Sequence, residues 1–278
     1  MFALSVGSLA LLVTLAAAPA PAPPMRLRVC ADPNNMPFSN QRGEGLENAL
    51  ARLVAQELGA ELTYVWLPQR RGFVRQTLGA GACDVMMEAP VPFARAAVTR
   101  PYYRSSYAFV FRRDRSLRLH SLDDPALRRM RIAVSTIGDD YANTPPAEAL
   151  ARRGLITNLV GVPVYGDYGK RDPQAAIVEA VASGAVDVAI VWGPTGAWFA
   201  SRVSVPLNVV PIGRAADDPP LPLAFDIGMA VRRDDTALRD RLDRLLTRAP
   251  VQRRIAGILA DFHIPLLPLA SARVSSRP

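Results

Sequence analysis

Histidine and cysteine are scarce in this chain of 278 residues, with two of each: His120 and His263, Cys30 and Cys83. All four are isolated, so no zinc-ligand spacing can be built from them and no metal is assigned. Neither histidine lies in a motif, no Gly-x-Ser-x-Gly occurs, and no glycine-rich loop follows a strand pattern; catalysis by a nucleophile elbow or a phosphate cradle finds no support. Lysine is rarer still. Lys170 is the only one, and arginine supplies the rest of 33 basic residues, which stand against 25 acidic ones for a net charge of +8. The arginines are scattered, and their tightest groups, Arg70-Arg71, Arg112-Arg113 and Arg152-Arg153, are pairs rather than a basic stripe with interleaved aromatics. That argues against nucleic acid and for an acidic partner. Beyond residue 25 no uncharged apolar run reaches the roughly 18 residues of a membrane-spanning helix. With 21% charged and 50% hydrophobic positions, the chain is too apolar for disorder and can bury a sizeable core.

What is present begins with an apolar, alanine- and leucine-rich run from Phe2 to Ala18, followed by an Ala-Pro mixture and a first basic residue at Arg26. Residues 1–24 read as an export signal, with an uncleaved N-terminal anchor as the alternative. No cysteine ends the run, which speaks against a lipoprotein. In an exported protein Cys30 and Cys83 form either one disulfide or two buried thiols; spacing leaves both open, because sulfurs on neighbouring parallel strands can lie too far apart.

After the signal, the chain alternates. Strand Leu27 to Ala31, the turn-rich Asp32 to Phe38, and an amphipathic helix from Glu44 to Leu58 come first, the helix carrying Leu46, Ala49, Leu50, Leu53, Val54 and Leu58 at three- and four-residue intervals. Strand Leu62 to Leu67, a helix over Arg71 to Gly79 and strand Asp84 to Met87 follow. The plan restarts after Asp124: strand Arg131 to Ser135, helix Pro146 to Arg153, strand Asn158 to Val162, helix Pro173 to Ser183, strand Asp187 to Trp192. Two extended crossings, Tyr107 to Arg112 and Leu223 to Val231, and a helical stretch from Thr236 towards Phe262, kinked or divided at Pro250, complete it. This order predicts a two-lobed α/β clamp, each lobe a mostly parallel sheet with covering helices and a two-strand hinge. Residues 25–111 with 223–268 make lobe 1, 112–222 lobe 2 and 269–278 a tail.

Several strings resemble the periplasmic solute-binding proteins of the amino-acid-receptor type: Arg26 to Phe38 as first strand and Pro-Phe turn, Gly43 to Leu58 as first helix, GACDVMM (Gly81 to Met87), TRPYYRSSY (Thr99 to Tyr107) and the second Gly-x-x-Asp of Ser183 to Ala189. The likeness is more specific to one branch, the solute-binding-like proteins associated with quinoprotein alcohol dehydrogenases of methanol oxidation systems. CADPNNMPFSN (Cys30 to Asn40), PQRRGFVRQTL (Pro68 to Leu78), IGDDYANTPPAEALARRG (Ile137 to Gly154), PVYGDYG (Pro163 to Gly169) and VWGPTGAWFA (Val191 to Ala200) carry it. The resemblance implies a type II periplasmic-binding-protein fold, a periplasmic location and no cofactor of its own. It also implies a partner: a methanol or alcohol dehydrogenase dependent on pyrroloquinoline quinone (PQQ), with a c-type cytochrome or an ABC permease as further candidates.

Receptors of this superfamily hold an amino acid by an arginine on its carboxylate and an aspartate on its amine, since a buried zwitterion needs both charges paired. Both anchors look altered here. The arginine position falls near Pro92, with Arg95 displaced from it, and the aspartate position falls near Trp192. A cleft lined by Phe38, Tyr102, Trp192 and Trp198 would suit an apolar or aromatic surface, although the same rings would also serve to pack the lobes. Asp32 and Asn34 sit in the turn after the first strand, and Arg70 and Arg71 either clamp a carboxylate or are solvated charge. Asp139 and Asp140, ahead of a proline-initiated helix, cap it or, with Asn143, face the cleft. Tyr165, Asp167 and Tyr168 belong to a turn that is a contact surface or purely structural. Glu88, at a strand end, is the one obvious acid/base candidate were the chain a dehydratase of prephenate-like acids. The expectation is a binding protein that assists a dehydrogenase, with a transport receptor for a small organic solute as the alternative.

Overall fold

The computed structural model describes residues 25–137, 142–163, 168–212 and 222–270. The first half comprises β1 (Arg26–Ala31), the short pair β2 (Asn34–Asn35) and β3 (Ser39–Asn40), α1 (Leu46–Leu58), β4 (Glu61–Trp66), α2 (Phe73–Gln76), β5 (Val85–Val91) and β6 (Ala97–Val98). The long strand β7 (Tyr103–Arg112) then leads to β8 (Ile132–Ile137), β9 (Ala142–Asn143), α3 (Pro145–Arg152), β10 (Leu159–Pro163), α4 (Ala176–Ala182), β11 (Val188–Trp192), α5 (Gly193–Ala200) and β12 (Leu207–Pro211). Return is by β13 (Ala224–Val231), α6 (Thr236–Leu246) and α7 (Ala249–Asp261).

The strands run β10-β8-β11-β7-β13-β5-β1-β4 across the molecule. At either end the pairing is parallel, β4 and β5 flanking β1, and β10 and β11 flanking β8. Between them β7 does two jobs along its length: Tyr103 to Ser106 pair antiparallel with β13, whereas Tyr107 to Phe111 pair with β11. This is the mixed, mostly parallel α/β arrangement that strand-helix alternation predicts. Side chains alternating along β7 serve both faces of the sheet. Phe109 and Phe111 pack with Ile132, Leu150 and Ile190, while Val110 packs with Ala133, Ile177 and Phe199 on the other side. A further core joins Leu50 and Val54 of α1 to Val29, Val85, Met229, Leu242 and Ile255. Each such fully buried side chain contributes on the order of 1.5–3 kcal/mol.

Local differences from the sequence expectation have local causes. The helix expected over Arg71 to Gly79 is only Phe73–Gln76, because Gly72 before it takes a left-handed conformation, φ 90°. A 3-10 turn, Pro173–Ala175, precedes α4. Pro250 divides the C-terminal stretch: α6 stops at Leu246 and the proline sits in the first turn of α7, where its missing N–H costs nothing. Cys30 and Cys83 are joined in a disulfide with a Cα–Cα distance of 5.4 Å. Cys83 lies just ahead of β5 rather than in register within it, so the two sulfurs meet within the small core of Phe73, Leu78 and Met86. Among the described residues no helix is long and apolar enough to cross a membrane.

Candidate functional site

The carboxyl ends of parallel strands are where an open α/β sheet offers a crevice, and here the ends of β1, β5, β10 and β11 converge on a cavity of about 400 Å³. Its first wall is the loop after β1. The Ser39 hydroxyl accepts from the Asp32 amide (3.1 Å) and donates to the Asp32 carbonyl (2.9 Å), pinning the turn shut. At its far end the Asn48 side chain accepts from the amides of Asn40 and Gly45, and the carbonyls of Pro37 and Phe38 accept from Leu46 and Glu47. A side chain at Gly45 would collide with the Phe38 carbonyl. Loop and helix are thereby locked together, presenting Asp32, Phe38 and Glu47 to one cavity.

The Asp32 carboxylate accepts three hydrogen bonds. Its Oδ1 accepts from the Asn34 amide (2.8 Å), and its Oδ2 accepts from the Gln69 amide and the Tyr168 hydroxyl, both at 2.6 Å. The last bond crosses the cavity mouth. Asn34 reinforces it by donating to the Lys170 carbonyl (2.9 Å) and accepting from the Gln174 side chain (3.1 Å). Charge-assisted bonds of this length are about twice as strong as neutral ones.

Deeper in, β5 supplies Glu88 from its middle rather than from a strand end, because the strand runs on to Val91; its Oε1 accepts from the Tyr103 hydroxyl at 2.9 Å. Burial pushes the Glu88 carboxyl up to about 8, against the opposing pull of that hydrogen bond. Glu47 is pushed well above the usual carboxylate range, first by burial and then by the charges of Glu88 and Asp32. Burial likewise raises the phenols of Tyr102 and Tyr103 well above their ordinary value, and that of Tyr107 to about 12. The opposite wall is apolar and aromatic: Tyr107, Ile177, Val191 and Trp192, with Ser135, Thr144 and Thr195 as neutral polar groups, while Ile227 lies on the strand beside that of Glu88. Trp192 is wedged edge-on between Tyr107 (5.5 Å) and Phe225 (5.9 Å). Among the described residues, the acidic side chains lining the cavity are Asp32, Glu47 and Glu88, with no arginine, lysine or histidine.

Of the residues singled out in the sequence, Asp32, Phe38, Glu88, Tyr168 and Trp192 come together at this cavity, and Asn34 lies at its mouth. Arg70 lies outside it, its guanidinium 5.1 Å from the Tyr168 ring centre. Arg71 and Arg95 are exposed and away from it. Tyr102 does not line it: its hydroxyl donates to the Met87 carbonyl (2.8 Å), and its ring opens on a separate groove with Arg104, Ile255 and Leu266. Trp198 is also elsewhere, stacked on Phe262 at 4.8 Å under the Arg202 guanidinium, because its face of α5 packs towards the end of α7. The N-cap residue of α3 is Thr144, whose hydroxyl donates to the Ser135 carbonyl. Asp139, Asp140, Tyr165 and Asp167 lie outside the described residues, and Asn143 falls in β9. Sequence reasoning missed Glu47, Gln69, Tyr107 and Gln174. For Glu47 a signal existed: it stands three and seven residues before Leu50 and Val54, on the stripe that α1 buries.

No group of three or more His, Cys, Asp or Glu side chains among the described residues is placed to hold a metal ion. What the cavity can do is enclose a small molecule of neutral or positive charge.

Comparison with known proteins agrees with this architecture. The bacterial extracellular solute-binding proteins, family 3, match the chain over residues 27–263. Protein MoxJ of Methylorubrum extorquens is 33% identical over 258 residues, covering 88% of this chain and 83% of that one. Protein MoxJ of Paracoccus denitrificans is 32% identical over 267 residues, 91% of this chain and 93% of that one. The crystal structure of the periplasmic binding protein XoxJ from Methylobacterium extorquens AM1 superposes with a TM-score of 0.71 at 34% identity, over 87% of this chain and all of that one.

Proposed function

We propose, from the premise that this chain belongs to the bacterial extracellular solute-binding proteins of family 3, that it is an exported periplasmic protein which binds a PQQ-dependent methanol or alcohol dehydrogenase and assists its activation, assembly or delivery. Residues 25–111 with 223–268 and residues 112–222 are the lobes of the clamp in this reading, and residues 1–24 the signal that exports it. Its action is binding rather than catalysis. The strings that resemble solute-binding-like proteins of methanol oxidation support it, as do the MoxJ relatives over most of the chain.

The observation that carries the reading is the charge of the cavity wall. A clamp that retains free amino acids needs a cation for the carboxylate, and among the described residues lining this wall the acidic side chains Asp32, Glu47 and Glu88 have no arginine, lysine or histidine beside them, with Trp192 at the position expected for the amine-binding aspartate. The scaffold of a receptor is kept while its ligand anchors are replaced. Fold alone does not fix function, and the cavity of about 400 Å³ favours one second reading, an ABC-transporter receptor for a small organic solute.

Affinity capture from native periplasmic extract, with the mature chain as bait, separates the two. Retained dye-linked alcohol dehydrogenase activity and quinone support the accessory role. A bait that captures no dehydrogenase and releases a small molecule on denaturation supports the receptor.

A further inference from the structure

The cavity wall is asymmetric in a way the dehydrogenase reading does not use. Glu47 is 8% exposed, yet no cation pairs with it among the described residues. The Ser39 hydroxyl beside it donates to the Asp32 carbonyl at 2.9 Å, and its hydrogen bond with Glu47 pulls that carboxyl down by less than burial and the neighbouring carboxylates push it up. Glu88 keeps one oxygen for Tyr103, and Asp32 already accepts from three donors. Two carboxyls thus face the cavity with no countercharge beside them; burial holds them protonated while the cavity is empty, and a cation placed against them favours the ionised form. Trp192 and Tyr107 stand in the same wall, and aromatic faces beside carboxylates form the environment that recognises organic ammonium ions. The volume lies within the range of small-molecule pockets, about 300–1,000 Å³.

We propose that this cavity binds a small organic cation, an alkylammonium or quaternary ammonium ion with apolar substituents, held by the carboxyls of Glu47 and Glu88 and the ring of Trp192. A ligand bearing carboxylates, the tricarboxylate quinone cofactor included, has the wrong sign for the site. A monovalent cation pairs with one ionised carboxyl, and the proton this releases steepens the affinity by up to about tenfold per pH unit as pH rises towards about 8, where Glu88 ionises unaided. The groups facing the pair are Asp32 from the β1 loop, Tyr103 and Tyr107 from β7, Tyr102 just ahead of it, and Tyr168; Arg70 lies outside, over Tyr168. None of these places a positive charge against the carboxyls.

The test uses the purified mature chain with its disulfide intact and needs no dehydrogenase, so its outcome is separate from that of the accessory reading. Choline is titrated calorimetrically against its uncharged isostere 3,3-dimethylbutan-1-ol, with glutamate and pyrroloquinoline quinone as anionic probes. Expected is choline binding at least tenfold tighter than the isostere, strengthening with pH, and weakened at least tenfold in Glu47→Gln and Glu88→Gln. Equal affinity for the isostere, tighter binding of either anion, or no choline binding overturns the proposal. Should the glutamine variants fail to fold, the charged and uncharged probes on the unmodified protein decide it alone.

Discussion

Glu88→Gln isolates the buried carboxyl that most affects this cavity. Burial raises the Glu88 carboxyl from an ordinary 4.5 to about 8 in the folded chain. The sign follows from proton counting. Below 4.5 the group is protonated in folded and unfolded chains alike and contributes no pH dependence. Between 4.5 and 8 the folded chain holds a proton that the unfolded chain has released, so stability falls as pH rises; above about 8 the loss is complete. At about 1.4 kcal/mol per pH unit, the interval gives an upper bound of about 5 kcal/mol, a large share of a typical stability of about 5–15 kcal/mol. Glutamine keeps the acceptor for the Tyr103 hydroxyl and removes the titration. Urea unfolding of the oxidised protein at pH 5, 7 and 9 measures it. The variant is expected to match the unmodified chain within about 1 kcal/mol at pH 5 and to exceed it by several kcal/mol at pH 9, with a residual slope from Glu47. Parallel curves across the three pH values refute the assignment of Glu88 as a buried, raised carboxyl.

Three further expectations concern the frame around the cavity. Replacing Cys30 and Cys83 by alanine opens a loop with a sequence separation of 53 and should cost about 4 kcal/mol in denaturant titration; a loss under about 1 kcal/mol contradicts it. Gly45→Ala drives a methyl group into the Phe38 carbonyl, and an overpacking loss of about 1–3 kcal/mol in thermal unfolding is expected, whereas an unchanged midpoint means the loop is not held as described. A double-mutant cycle of Asp32→Asn with Tyr168→Phe should give a coupling of about 1.5–3 kcal/mol, the range for a hydrogen bond to a charged group. Additive single effects would mean that this bond across the mouth does not form.

Much of the frame was legible because it rests on local periodicity. The 3.6-residue spacing of Leu46, Leu50, Leu53 and Val54 marks α1, and the proline rule divides α6 from α7 at Pro250. Residues 193–200 carry no such signal: α5 is apolar on all sides and begins Gly-Pro, so it escapes a reading by pattern. The disulfide was beyond reach for a different reason. It depends on where Cys83 stops relative to β5, a tertiary register that spacing does not encode.

Within the site, residues that end strands could be placed, since Asp32 follows β1 and Trp192 closes β11. Aromatic residues could not be sorted by type alone. Trp192 reaches the cavity and Trp198, six positions on, faces α7 instead, because the turn into α5 rotates its side chain away. The acid of α1 was hidden by its own context: a glutamate in a first helical turn is ordinarily a favourable partner of the helix dipole, and here Glu47 also faces the chamber.

The central claim is that this clamp works on a dehydrogenase, and direct titration tests it: the purified mature chain against the purified PQQ-dependent alcohol dehydrogenase of the same bacterium, followed by light scattering or calorimetry. The account expects a saturable complex at micromolar concentrations or below. No complex at tens of micromolar, in either the presence or the absence of the quinone, would contradict it.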